Sequence, residues 1–197
     1  MLLLAAVIWG STFVAQRMAM DLIEPFTFNA CRFGLGTLVL VPLCLRRRPH
    51  GARTGTLRQA ASAGALGGVL LFGGASLQQV GMVYTTAGNG GFITGLYVVL
   101  VPVIVALFGT HVVMRRWLSA IVALVGLGLL TGGGSARMAI GDWFVFGSAW
   151  VWALHILVVS RYSRIADPIR MASFQAATCA LLSFVVALVF ESPSRPA

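Results

Sequence analysis

Lysine is absent from this sequence. All 14 basic residues are arginine, and only five aspartates or glutamates stand against them. Charged residues make up 10% of the chain, whereas an average soluble domain carries roughly 25%. That shortage excludes an ordinary water-soluble domain. The lack of lysine also removes "GNGG" at 88–91 as a phosphate loop, because a Walker A motif requires one. Cysteine is scarce: Cys31, Cys44 and Cys179 each sit in an apolar run, without paired spacing. This excludes a metal-binding or disulfide framework and leaves small packing residues. The three histidines, His50, His111 and His155, are scattered. No H-E-x-x-H set and no nucleophile with a neighbouring base is visible. We therefore expect no enzyme, no cofactor and no metal.

Apolar residues are what the chain does have, at 58% hydrophobic with a mean hydropathy of +0.91. A helix needs about 20 apolar residues to cross a bilayer core of about 30 Å. Seven segments qualify: Leu2–Met20, Phe26–Leu45, Ala60–Tyr84, Ala87–Phe108, Trp117–Gly133, Asp142–Ser160 and Ala172–Phe190. The expected fold is an all-α polytopic membrane helix bundle. The first segment lacks a basic leader, and Gln16 and Arg17 follow it without a small-residue cleavage site, so it reads as a mature helix rather than a signal peptide.

Arginine placement sets the orientation, since cytoplasmic loops collect it. The second, fourth and sixth connections hold 10 of the 14 arginines: Arg46, Arg47, Arg48, Arg53, Arg58, Arg115, Arg116, Arg161, Arg164 and Arg170. Asp21, Glu24, Asp142 and the tail residue Glu191 fall on the other side, with only Arg137 and Arg195. The expected topology is a multi-pass protein of the cell (inner) membrane with its N-terminus cytoplasmic and residue 197 outside. A net charge of +9 is then an orientation signal with some attraction to anionic lipid. Nucleic acid is not expected as a partner.

The chain also repeats itself. Trp9 matches Trp152 and Pro25 matches Pro168, both at an offset of 143 residues. Thr12 lands on His155 and Arg32 on Gln175. A first copy of five helices (1–134) forces the second (142–197, two helices, incomplete) to insert upside down. Inverted repeats of this kind place a substrate site between them, near the midplane.

Arg32 is the one basic residue deep in an apolar run, "FNACRFGLGTLVLVPL" at 28–43. Its guanidinium keeps its proton. On insertion scales such a charge costs about 2.5–3.5 kcal/mol at the centre of a helix. Two readings stand. Arg32 is a structural clamp to Asn29, one turn away, to Asp21 and Glu24 or to backbone carbonyls; or it is a cationic contact for an anionic substrate group. Arg17, close to its helix end, reaches the outer interface by snorkelling. Trp9, Thr12 and Gln16 share one helical face, and Trp152, His155 and Val159 form its counterpart. These faces read as cavity walls, with plain packing as the alternative; for His155 the alternatives are an interhelical hydrogen bond and a proton-coupling role. The third segment adds Gln78 and Gln79, and the fourth adds Asn89, Thr94 and Tyr97. Gly95 and Pro102 mark a bend, static or hinged. Gly64/Gly68, Gly91/Gly95 and Gly128/Gly132 permit close helix contact.

The stretch "WGSTFVAQRMAMDLIEPFTFNACRF" resembles the opening of EamA-type members of the drug/metabolite transporter superfamily. "LQQVGMVYTTAGNGGFITGLYVVLVPV" is similar to their third and fourth helices, and "GDWFVFGSAWVWALHILVVSRYS" to the start of their second repeat. "THVVMRRW" departs from the pattern, carrying no glutamate where the family usually has a Glu-Arg pair. The resemblance implies ten helices, and two 143-residue repeats need roughly 285 residues. The chain shows seven helices and reads as truncated after the seventh: a fragment, a truncated reading frame, or a product completed by a second copy or a missing-half partner. The resemblance further implies cavity contacts from the first, third, fourth and sixth helices, which supports Gln79 and Tyr97. The expected substrate-binding set is Trp9, Thr12, Gln16, Asn29, Arg32, Gln79, Tyr97, Trp152 and His155. The expected function is transport of a small metabolite, an amino acid or related organic solute, by alternating access. The alternative is a truncated, non-transporting membrane protein or a helix-binding scaffold.

Overall fold

The computed structural model describes residues 2–46, 55–131 and 138–191. The arginine cluster at 47–53, Gly132, Arg137 and the tail from 192 onwards lie outside the described residues. Among the described residues every regular element is a helix: α1 (Leu2–Ala19), α2 (Pro25–Arg46), α3 (Leu57–Val83), α4 (Ala87–Gly95), α5 (Tyr97–Leu107), α6 (Met114–Thr131), α7 (Ile140–Tyr162) and α8 (Pro168–Phe190). By length and composition, α2, α3, the α4–α5 stretch, α7 and α8 are each long and apolar enough to cross a membrane. With α1 and α6, of 18 residues each, they account for the seven expected segments.

Helix starts follow local chemistry. Thr56 and Gln59 form a reciprocal capping box ahead of α3, with bonds of 2.9 and 3.2 Å. Thr86 caps α4 by accepting from Asn89 N–H. Asp167 accepts from the N–H groups of Ile169 and Arg170 at 3.0 and 2.9 Å, with Pro168 as first helical residue. The fourth segment, expected as one helix, is two. The break falls at Leu96, whose N–H bonds to Ile93 O at 3.1 Å, a tightened turn that keeps right-handed backbone angles. It sits beside Gly95; the chain stays helical through Pro102.

Contacts divide the described chain into two compact units, the divide falling inside α3 after Ser76 and inside α7 after Ala153. One unit holds α2, the first part of α3, the last part of α7, and α8. Its α2 and α8 run antiparallel. At one end Glu191, just past α8, accepts from Phe26 N–H, Thr27 N–H and the Thr27 hydroxyl at 2.6–2.8 Å. At the other, Cys44 Sγ lies 3.0 Å from Ser173 Oγ. Residues 26 to 44 of α2 thus match residues 191 to 173 of α8, about 27 Å of helix at 1.5 Å per residue, close to a hydrocarbon core thickness. Glu191, expected in a polar tail, instead caps the first turn of α2, where N–H groups have no intrahelical acceptor. Against the other side of α8 lies α3. A methyl on Gly64 would strike Phe174 and Met171, and one on Gly68 would strike Thr178. Without a hydrophobic force between helices in lipid, such close contact is what holds them.

The second unit holds α1, the last turns of α3, α4, α5, α6 and the first part of α7. Gly141, Val145, Ser148, Ala149 and Ala153 form a buried stripe along α7. Gly141 packs directly on the Gly81 carbonyl and on Tyr84, leaving no room for a Cβ. Asp142, expected at an outer connection, is 2% exposed. Its carboxylate accepts from the Thr85 hydroxyl and from Ala139 N–H. The positive end of the α7 dipole favours a negative charge there. Arg17 reaches forward to Asp21, in the connection after α1, at 2.7 Å; at such exposed positions the pair contributes little.

Candidate solute-binding residues

Polar side chains are buried within these apolar helices, and in the second unit three polar side chains are joined. Trp152 Nε1 donates to Gln78 Oε1 at 2.9 Å. Gln78 Nε2 donates to Gln16 Oε1 at 3.4 Å. The relay runs from α7 through α3 to α1, and both amides are nearly buried, at 3% for Gln16 and 6% for Gln78. Gln16 and Trp152 were expected site residues; Gln78 is the joint that connects them. Beside it in sequence, Gln79 is wholly buried, and neither end of its amide has a protein partner. Thr94 on α4 is buried with its hydroxyl equally unmatched. Buried polar atoms are nearly always satisfied in folded proteins, so such exceptions point to a missing partner.

Trp9 and Tyr97 bring α1 and α5 together, their ring centroids 6.4 Å apart. Trp9 remains more than half exposed. Thr12 spends its hydroxyl on Ile8 O, 2.8 Å away in its own helix, the usual back-bond of a mid-helix threonine.

Arg32, Asn29 and His155 belong to the first unit. Arg32 Nη2 donates to Asn29 Oδ1 at 3.0 Å. Its guanidinium lies 4.6 Å from the Phe33 ring centroid and 5.5 Å from that of Phe28, within cation–π range. No carboxylate pairs with it among the described residues. Asn29 is fully buried, with its Nδ2 unmatched. His155 Nε2 lies 2.9 Å from Gln175 Oε1. Gln175 packs over Gly67, whose missing side chain leaves room for the amide. Thus α3, α7 and α8 meet around one glutamine, at the position that the 143-residue offset equates with Arg32.

Two cavities are lined by other residues. One of about 270 Å³ separates α5 from α6. One of about 360 Å³, walled mainly by apolar groups of α2 and α8, has Arg170 on its rim. Among the described residues no group of three or more histidines, cysteines or acids is placed to hold a metal.

These apolar helices, packed through glycine and linked by buried amides, make a multi-pass α-helical membrane protein. The chain belongs to the EamA-like transporter family, whose model matches residues 1–132. An uncharacterized transporter of Archaeoglobus fulgidus is 35% identical over 183 residues, covering 92% of this chain and 55% of that protein. The uncharacterized transporter YyaM of Bacillus subtilis is 26% identical over 201 residues, covering 98% of this chain and 65% of that protein. The chain therefore spans between about half and two thirds of the length of these relatives. No solved structure matches it significantly.

Proposed function

We propose that the protein carries a small polar metabolite, an amino acid or related organic solute, across the membrane without changing it covalently. The observation that carries this reading is the Trp152–Gln78–Gln16 relay with the unmatched amide of Gln79 beside it in sequence. Every one of these groups is uncharged. A site of this kind selects by hydrogen bonds and suits a zwitterion or a neutral solute, because a polar group left unpaired on desolvation is costly. Trp9, Thr12, Tyr97 and Thr94 are its further contacts. Arg32 and Asn29 act as a clamp within α2, and His155 ties α7 to α8.

Alternating access between inverted repeats is the mechanism we assign. Its support is the α2–α8 pair. Both helices begin on a proline, 143 residues apart, and they lie antiparallel, as inverted copies must. Thr37 and Ala180, also 143 residues apart, fall at the same level of that register and near the middle of both helices. An N-terminus in the cytoplasm follows from the arginine bias.

The test is uptake of labelled amino acids and related organic solutes into liposomes holding the full-length protein. Saturable uptake by wild type, lost in Gln78→Leu, supports the reading. Natively folded protein with no saturable uptake of any of them overturns it in favour of a non-transporting helix scaffold.

A further inference from the structure

The cavity between α5 and α6 has a composition that solute carriage does not explain. Val98, Val101 and Val105 of α5 make its wall, and Arg115, Arg116 and Ser119 of α6 stand on the other side. Neither arginine has a carboxylate partner among the described residues. Both sit in the first turn of α6, where the N-terminal N–H groups already present positive charge and no acid is present to balance it. Both side chains are exposed at this helix end, and two adjacent positive charges on a positive helix terminus favour an anion beside them.

The protein is embedded in a membrane, and the two arginines mark a helix end, where lipid headgroups lie. We propose that this cavity holds the phosphate of an anionic phospholipid, with its acyl chains along the valine wall. Guanidinium forks fit phosphate bidentately. Basic pockets between membrane helices are suited to anionic headgroups. The valines decide between lipid and a free anion, because an inorganic phosphate gains nothing from an apolar wall. At about 270 Å³ the space suits a headgroup better than a drug-sized ligand. The site shares no residue with the amide relay and does not rest on the transport reading.

Native mass spectrometry of the full-length protein in detergent tests this, with phosphatidylglycerol, phosphatidylcholine or inorganic phosphate added at 150 mM salt. Wild type retains phosphatidylglycerol in preference to phosphatidylcholine. R115Q/R116Q loses that retention by about thirtyfold. V98W, which keeps both charges and fills the cavity from a half-exposed position, loses it equally. R58Q/R164Q removes two exposed arginines elsewhere and keeps it. Equal losses in both double variants mean general charge attraction and overturn the site. Displacement of the lipid by millimolar inorganic phosphate, or full retention in V98W, overturns it as well.

Discussion

Gln79 combines full burial with an amide that nothing in the protein matches. If the amide waits for a solute, Gln79→Leu keeps the side-chain bulk and removes an unsatisfied polar group. The variant should unfold no more easily than wild type, while solute uptake falls at least about tenfold, a loss near 1.4 kcal/mol. Lost stability with unchanged uptake would make the amide structural. Arg32 should behave in the opposite way. Arg32→Ala forfeits its two ring contacts and leaves Asn29 Oδ1 unpaired, a cost of about 1–3 kcal/mol readable by thermal unfolding, with uptake per folded molecule unchanged. The sequence made Gln16, Trp152, Asn29 and Arg32 visible as polar residues in apolar runs. It did not join Gln78 to Gln16 and Trp152, which lie 62 and 74 residues from it. In lipid both faces of a helix are apolar, so periodicity says little about which polar residue turns inward.

At the scale of elements, glycine decides which helices can touch. Gly68 presses on α8, whereas Gly34 on α2 has open space around it. Gly68→Ala should lower stability by about 1–3 kcal/mol through overpacking. Gly34→Ala should raise it by up to about 1 kcal/mol through helix propensity. Denaturation in mild detergent compares the two. Element positions were legible, because length and apolarity are dictated by bilayer thickness, and each of the seven segments is matched by one described helix, except the fourth, which is matched by two. The small-residue pair Gly64/Gly68 was legible as a close-contact signal. The break at Leu96 was not: the sequence offered Gly95 and Pro102 as marks, and only the local turn shows which one the chain uses. The buried Asp142 was missed because, in sequence, an acid at a segment boundary looks the same whether it faces water or closes a helix start.

For the molecule as a whole, the orientation is the sharpest expectation. Single cysteines at Met138 and Ser163, in a background lacking Cys31, Cys44 and Cys179, should be labelled from opposite sides of sealed vesicles. Residue 163 should react from the cytoplasmic side. Labelling of both from one side would invalidate the arginine-bias topology and the inverted second copy with it. The Glu191 cap gives the fold an order in time. During synthesis, α2 leaves the ribosome some 160 residues before the carboxylate that completes its first turn. Until then the N–H groups of Phe26 and Thr27 must borrow water or headgroup oxygens. The unit that contains α2 therefore closes late, and a nascent chain arrested before residue 191 carries an unfinished helix at the membrane surface.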